Sequence, residues 1–94
     1  MTGQNPKISV ILPAYKGSRK LLHRSIDSIL NQTFSDLELI IVLDNPENNN
    51  LIDFFREFEE KDKRVRFYVN EGNLGIAGTV NRGIKAALGE FIAR

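Results

Sequence analysis

Hydrophobic residues along this chain form short continuous runs that alternate with stripes at helical spacing. The longest run, Leu37–Leu43 (LELIIVL), is followed at once by Asp44, Asn45 and a proline. A near-continuous aliphatic run of this length is typical of a strand buried on both faces of a parallel sheet. Ligands bind beyond the carboxyl ends of such strands, so Asp44 and Asn45 lie where a ligand would be recognised. The alternative is that an Asx pair before proline only caps a turn.

The rest of the pattern predicts strands and helices in strict alternation. Further strands are predicted at Ile8–Leu12, at Val65–Val69 and from Glu90 to the end of the chain. Three helices lie between the strands: one capped by Ser18, one capped by Asn49 or Asn50, and one ended by Gly89. Alternation of this kind predicts βαβ units, a parallel sheet and right-handed crossovers.

Each predicted helix carries one apolar stripe. The stripes are Leu22, Ile26, Ile29 and Leu30; Leu51, Phe54, Phe55 and Phe58; and Ile76, Val80, Ile84 and Leu88. We expect these stripes to be the core-facing sides of the helices. Pro13 lacks a backbone donor and is expected to end the first strand.

Composition mainly excludes functions. The chain has 94 residues, enough for one small domain, and its 41% hydrophobic and 27% charged residues are ordinary for a globular protein. The net charge of +1 comes from interleaved acids and bases, so nothing favours nucleic acid as a partner. The absence of cysteine excludes disulfides and thiolate chemistry.

Targeting signals are also missing from the sequence. No stretch reaches the ~20 apolar residues of a membrane span, so no membrane segment is predicted. The opening residues, MTGQNPK, lack the apolar core of a signal peptide, which favours a cytoplasmic chain. Residues 1–6 are predicted to be a flexible tail.

Common catalytic motifs do not occur. No G-x-G-x-x-G follows the first strand, and there is no P-loop. His23 is the only histidine and has no second ligand near it in sequence, so we expect a surface residue rather than a metal ligand.

The candidate binding residues lie where the predicted strands end, as the alternation of strands and helices places them. They are Pro13–Lys16 after the first strand, Asp44 and Asn45 after the second, and Asn70–Gly75 after the third. Tyr15 could stack on a planar base, Asp44 or Asn45 could accept from its ring N–H, and Gly75 could let the backbone approach. An equally good interpretation is that Tyr15 packs on the sheet edge and the loop residues are turn formers.

Three segments in combination resemble the family two glycosyltransferases of the GT-A fold. They are ISVILPAYKG, SIDSILNQTFSDLELIIVLDN and NLGIAGTVNRGIKAALGEFIA, and the resemblance runs from Lys7 to Arg94. It implies an α/β fold, a Rossmann-like three-layer sandwich whose parallel sheet has about four strands in the order 3-2-1-4. Residues 7–94 would be the nucleotide-binding half of a GT-A domain, truncated before the acidic D-x-D motif of the family.

The resemblance implies a nucleotide-binding role for Pro13, Ala14, Tyr15, Asp44, Asn45, Asn73 and Gly75. Pro13-Ala14-Tyr15 matches a P-x-Y turn that contacts the nucleoside, and Asn73–Gly75 resembles the segment beside the base and ribose. Asp44-Asn45 matches paired aspartates, of which the second normally binds the base, usually uracil. Two residues depart from the family pattern. Asn45 stands in place of the second aspartate, and Lys16 stands where the family most often has asparagine. These two departures leave the base open.

For the parent protein, the resemblance implies an inverting glycosyltransferase. It would move a sugar from a nucleotide-diphosphate donor, a UDP-sugar if the base is the usual one, to a hydroxyl of a glycan or lipid acceptor. A divalent metal, Mg²⁺ or Mn²⁺, is expected in the full-length protein, with its ligands and the catalytic base outside this chain.

This chain alone is therefore expected to be inactive, with no catalytic or metal-binding residue of its own. Self-association through the truncated sheet edge is also expected. The alternative is a non-catalytic flavodoxin-like or receiver-like module, although a receiver needs acids that Pro13-Ala14-Tyr15 does not supply.

Overall fold

The computed structural model describes residues 6–32 and 36–93. Strands and helices alternate within these ranges: β1 (Ile8–Ala14), α1 (Arg19–Leu30), β2 (Leu37–Leu43), α2 (Asn49–Lys61), β3 (Val65–Val69), α3 (Gly75–Ala86) and β4 (Phe91–Ala93). The strands form one parallel sheet in the order β3-β2-β1-β4. The predicted α/β fold and strand order are confirmed. Of the predicted tail, only Pro6 falls within the described residues.

β2 lies in the middle of the sheet and is buried along its whole length. Because side chains alternate along a strand, its run contributes to both faces of the sheet. One core, against α1 and α2, consists of Ile26, Leu39, Ile41, Leu43, Leu51, Phe54, Phe55 and Val65. On the other face α3 packs on β1 and β2, with Gly83 against Ile11. The stripes predicted for α1 and α2 are confirmed as core-facing.

β1 continues through Pro13, contrary to the prediction that this proline ends the strand. The Ala14 carbonyl accepts from the N–H of Asp44 at 2.7 Å, so the peptide groups of Ala14 point to β2 and those of Pro13 point the other way. On that side β4 pairs only with Ile8–Val10 and does not reach Pro13. The missing donor therefore removes no ladder bond, which makes a proline tolerable here.

Capping residues agree with the sequence at α1 and differ by one position at α2. The hydroxyl of Ser18 accepts from the N–H of Lys20 at 3.1 Å, as predicted. α2 is capped by Asn48 rather than by Asn49 or Asn50, and Asn48 Oδ1 accepts from the N–H of Leu51 at 3.2 Å. Three consecutive asparagines offer equivalent caps, so local sequence does not select the register.

Gly89 serves a close backbone approach and does not end a helix. α3 ends at Ala86, and the φ of Gly89 is not positive. The N–H of Gly89 donates to Ser9 Oγ at 2.8 Å. A Cβ at this position would lie 2.7 Å from the Ser9 nitrogen and 2.9 Å from the Ile8 carbonyl carbon. Only glycine fits where the chain enters β4 beside β1.

A buried carboxylate, Glu38, stabilises the same corner. It accepts from Ser9 Oγ at 2.6 Å, from the N–H of Leu88 at 2.7 Å and from Arg66 Nε at 3.0 Å. Arg66 also donates to the Ala86 carbonyl. The network joins three strands to the α3–β4 connection at the amino ends of the strands. A buried carboxylate needs partners of this kind.

The prediction that the apolar stripe of α3 faces the core is wrong except at Val80. Ile76, Ile84 and Leu88 are 69%, 42% and 51% exposed. The buried side of α3 is instead Thr79, Val80 and Gly83. Small side chains there let the helix lie close on the sheet, and helical spacing alone does not reveal which side a neighbour covers.

Candidate functional site

A pocket of about 260 Å³ lies at the carboxyl edge of the sheet, beyond the ends of β1 and β2. Its lining is mostly apolar and consists of Pro13, Ala14, Tyr15, Asp44, Asn73, Gly75, Ile76 and Thr79. Six of the seven site residues selected from the sequence therefore lie around one pocket. We refer to it as the strand-end pocket.

Asn45, the seventh selected residue, follows Asp44 but does not line the strand-end pocket. Its Oδ1 accepts from the N–H of Glu47 at 3.2 Å, which forms an Asx turn. Only the amide oxygen can accept from an N–H, so this bond fixes the orientation of the amide. The turn-forming role considered for the Asx pair is thus seen at Asn45.

Asp44 is buried, and its carboxylate is engaged by the protein itself. Oδ1 accepts from the N–H of Leu74 at 2.7 Å and from Asn70 Nδ2 at 2.8 Å, and Oδ2 accepts from the N–H of Gly75 at 2.9 Å. α3 begins at Gly75 and has no side-chain cap of its own at Leu74. The carboxylate at the end of β2 therefore caps α3, where the helix dipole favours a negative charge.

The pKa of Asp44 reflects two opposed effects. Burial by itself raises it, but hydrogen bonds from the Leu74 backbone, the Asn70 side chain and the Gly75 backbone outweigh burial. The pKa of this carboxyl is therefore below its ordinary value. Asp44 is a carboxylate at neutral pH and holds the loop before α3 against the pocket.

Asn70, Thr79 and Arg82 complete this network. Asn70 lies in the segment predicted to follow the third strand, whereas Thr79 and Arg82 were not selected from the sequence. Thr79 Oγ1 lies 3.1 Å from Asn70 Nδ2 and donates to the Gly75 carbonyl at 2.7 Å. Arg82 Nη1 donates to Asn70 Oδ1 and to the Val69 carbonyl, both at 2.8 Å. The signal that could have found Thr79 is a polar residue next to Val80, on the side of α3 that small residues mark.

Gly75 gives the loop its shape. Its φ is +78°, in the left-handed region that other residues adopt only with strain. A Cβ there would meet no atom within 4 Å, so conformation rather than crowding requires glycine. Asn73 Oδ1 also accepts from the N–H of Gly75, at 3.0 Å. Asn73 and Gly75 are thus fixed beside the pocket before any ligand arrives.

The chemistry of the lining favours a flat, uncharged ring. Tyr15 is 48% exposed, so part of its ring is available for stacking. Lys16 is exposed and does not line the pocket, and no lysine or arginine is among the lining residues. A charged phosphate group would find no counter-charge inside the pocket, whereas a ring with polar edges would meet Asp44 and Asn73.

A second depression, of about 370 Å³, lies between α1 and α2 toward the amino ends of the strands. Phe54 and Phe58 line it, with His23 paired to Asp27 at 3.0 Å. His23 is exposed, as predicted for a surface residue. This depression is larger than the strand-end pocket but lies at the opposite edge of the sheet, away from the Asp44 network.

Metal ligands are not gathered in residues 6–32 and 36–93. This part of the chain holds no group of three histidine or acidic side chains that could bind an ion. Both oxygens of Asp44 already accept from N–H donors. The residues present therefore do not fit the divalent metal expected for the full-length protein.

Among the helices of these ranges, none has the length and apolar character needed to cross a membrane.

Comparison with known proteins gives a consistent result. Residues 9–94 match the sequence profile of glycosyl transferase family 2, which confirms the family resemblance. An uncharacterised glycosyltransferase of Methanocaldococcus jannaschii is 43% identical over 88 residues, which are 94% of this chain and 30% of that protein. The UDP-Glc:alpha-D-GlcNAc-diphosphoundecaprenol beta-1,3-glucosyltransferase of Escherichia coli is 35% identical over 86 residues, 92% of this chain and 32% of that protein.

Among solved structures, a mannosyltransferase from Pyrobaculum calidifontis in complex with GDP-Man and Mn²⁺ superposes with a TM-score of 0.79. At 21% identity it shares the fold, over 96% of this chain and 27% of its own length. This chain thus spans about a third or less of each of these proteins.

Proposed function

This chain belongs to glycosyl transferase family 2, and from that premise we propose that it forms the nucleoside-binding part of a sugar-transferring enzyme. The observation that carries the proposal is the strand-end pocket. It brings an exposed tyrosine ring, a buried carboxylate and a fixed glycine loop around a space of about 260 Å³. Such a space suits a nucleobase and part of its ribose.

Asp44 has two roles in this proposal. A carboxylate offers about four acceptor positions, and three are occupied by Leu74, Asn70 and Gly75. Asp44 can therefore hold the loop and still accept one hydrogen bond from a ring N–H. Tyr15 stacks on the ring, and the Asn73–Gly75 loop lies beside the ribose.

Pro13 and Ala14 contribute backbone contacts in this arrangement, because they form the wall of the pocket beside Tyr15. Asn45 lies outside the lining of the pocket, and only its amide NH₂ is left for a ligand beyond the pocket, since its oxygen is used by the turn. The diphosphate lies outside the pocket, because no residue that lines the pocket carries a positive charge.

The proposed donor is a UDP-sugar. The Escherichia coli relative, 35% identical, is named for UDP-Glc. The protein that binds GDP-Man is 21% identical and supports the fold alone. The proposed acceptor is a hydroxyl of a glycan or lipid-linked glycan, attacked with inversion after a general base removes its proton.

The transfer step depends on groups that the described residues do not supply. A divalent metal, Mg²⁺ or Mn²⁺, supplies charge neutralisation of the leaving diphosphate when it is bound. Its ligands and the catalytic base belong to other residues of the parent protein, and this chain alone is proposed to lack turnover. Family membership does not favour the flavodoxin-like or receiver-like alternative.

Titration with uridine monophosphate, followed by NMR, tests the pocket. We expect the amides of Tyr15, Asn73 and Gly75 to shift, with a millimolar dissociation constant that corresponds to about 4 kcal/mol of binding free energy. Tyr15→Ala should weaken binding at least about fivefold, because stacking on an aromatic ring contributes about 1–3 kcal/mol per base. The matched control is Leu21→Ala, which removes another large, exposed side chain, on α1 and away from the pocket.

Two results would contradict the proposal. Shifts centred on His23 and Asp27 would place the ligand in the depression between α1 and α2. Tighter binding of guanosine monophosphate than of uridine monophosphate would exclude uridine as the preferred base while keeping the pocket.

A further inference from the structure

Arg82 on α3 is bonded to the end of β3, although it does not line the strand-end pocket. Its Nη1 donates to Asn70 Oδ1 and to the Val69 carbonyl, both at 2.8 Å. The N–H of Asn70 donates to the Leu43 carbonyl at 2.9 Å, so the Val69 carbonyl of the same peptide group points away from β2. Arg82 therefore binds a backbone acceptor that the ladder with β2 does not use, together with a side-chain acceptor.

The guanidinium of Arg82 is held in place by Tyr68. Its Cζ lies 5.5 Å from the centroid of the Tyr68 ring, within the range of a cation–π contact. The Tyr68 hydroxyl in turn accepts from Arg66 Nη1 at 3.0 Å, and Arg66 Nε donates to Glu38 at 3.0 Å. Because Arg66, Tyr68 and Asn70 are two residues apart, they lie on one side of the sheet, the side that faces α3. An ordered row of side chains thus supports Arg82 where it meets Asn70.

Asn70 is 1% exposed, and both ends of its side-chain amide are bonded. Nδ2 donates to Asp44 Oδ1 at 2.8 Å and to Thr79 Oγ1 at 3.1 Å, while Oδ1 accepts from Arg82. A guanidinium can only donate, so its partner must be the amide oxygen, and the NH₂ group must face Asp44 and Thr79. Arg82 thus fixes which end of the Asn70 amide meets the carboxylate.

Given the proposed nucleoside-binding function, on which this inference rests, we propose that Arg82 is a positioning residue that orients Asp44 through the amide of Asn70. Asp44 Oδ1 accepts from Asn70 and from the N–H of Leu74, whereas Oδ2 accepts from the N–H of Gly75. The acceptor position left for a ring N–H is therefore on Oδ2. Arg82 keeps Oδ1 occupied and Oδ2 available without touching the ligand.

Removal of the Arg82 donors shows why this role matters. Asn70 Oδ1 would lose the guanidinium in a buried position, where an acceptor without a partner is costly. The amide would turn toward another donor or toward water, and its Nδ2 would leave Asp44. The pocket would keep its lining residues, but its carboxylate would lose the orientation that a ring N–H requires.

Arg82→Met tests this role, because methionine keeps a long unbranched side chain and removes every donor. The two Asn70 Nδ2 protons should exchange with water at least about tenfold faster in this variant, since hydrogen bonds to charged groups are among the strong ones. The backbone N–H of Asn70, bonded to Leu43, should keep its protection. Arg56→Met, at an exposed arginine on α2, is the matched control and should change neither signal.

Binding of uridine monophosphate gives the functional readout. Arg82→Met should raise the dissociation constant about three- to tenfold, although Arg82 lies outside the pocket lining. Asn70→Ala should raise it as well, and Arg82→Met should add nothing further in the Asn70→Ala background, because both changes act through one amide.

Three results would overturn the positioning role. They are unchanged exchange of the Asn70 Nδ2 protons in Arg82→Met, equal loss of protection at the Asn70 backbone N–H, and losses of binding that add in the double variant. Absence of uridine monophosphate binding to the wild type would instead contradict the proposed function. The exchange of the Asn70 protons would then still decide whether Arg82 orients this amide.

Discussion

Replacing Asp44 by asparagine is expected to lower the free energy of unfolding by about 2–4 kcal/mol. The substitution keeps the shape of the side chain but turns one acceptor oxygen into a donor. That NH₂ group would face the N–H groups of either Leu74 or Gly75, which are now bonded at 2.7 and 2.9 Å. A buried donor without a partner costs about 1–3 kcal/mol, and the lost charge at the start of α3 adds to this.

The same substitution should also remove the response of the Asn73 and Gly75 amides to uridine monophosphate, because the loop loses its anchor. Urea unfolding followed by circular dichroism measures the stability change. Asp53→Asn, an exposed acid on α2, is the matched control and should change stability by less than about 0.5 kcal/mol. If Asp44→Asn lowers the free energy of unfolding no more than Asp53→Asn does, the capping role of Asp44 is contradicted.

The pH dependence sharpens this test. The pKa of Asp44 is lower in the folded protein than its ordinary value, so its contribution to stability is complete above about pH 5. That contribution is lost as pH falls through the folded pKa. The stability difference between the wild type and Asp44→Asn should therefore be constant above about pH 5 and shrink below about pH 4. A difference that does not depend on pH would show that charge is not the cause.

Replacing Gly89 by alanine should cost about 2–4 kcal/mol and release β4 from the sheet. The new Cβ would lie 2.7 Å from the Ser9 nitrogen and 2.9 Å from the Ile8 carbonyl carbon. Both are backbone atoms of a paired strand, so neither can move without breaking the ladder with β2. The Phe91 amide, which bonds to Lys7, should lose its protection from hydrogen exchange, whereas the β2–β3 ladder should keep its own.

Gly72→Ala is the matched control for this prediction. A Cβ at Gly72 would meet nothing within 4 Å, and its φ is not positive. We expect the free energy of unfolding to stay unchanged or to rise by up to about 1 kcal/mol, because alanine reduces the conformational freedom of the unfolded chain. Equal stabilities of the two variants would contradict the packing role of Gly89.

Sequence patterns predicted the elements because those patterns are local. The run of β2 and the stripes of α1 and α2 are visible within a few residues. Glu38 was not selected because it lies inside an apolar run, and its partners Arg66 and Leu88 are 28 and 50 residues away. The role of Gly89 likewise depends on Ser9, 80 residues away.

The position of the strand-end pocket was predictable for a different reason. Parallel strands bring their carboxyl ends to one edge, so six residues from three separate segments could be grouped without knowing any contact. The use of Asp44 as a cap for α3 was not predictable, because nothing in the sequence of α3 reveals that its own cap is missing. Thr79 was recognisable only as a polar residue beside Val80, and its partners Asn70 and Gly75 are contacts that the sequence does not reveal.

The wide sequence separation between β1 and β4 bears on the order in which the sheet folds. Ser9 meets Glu38 across 29 residues, whereas Gly89 meets Ser9 across 80. Closing the longer loop costs about 1 kcal/mol more in chain entropy, and only three residue pairs of β4 offset it. The β1–β2–β3 sheet is therefore expected to nucleate first and β4 to dock last, an order that pulse-labelled exchange of the Asn70 and Phe91 amides would resolve.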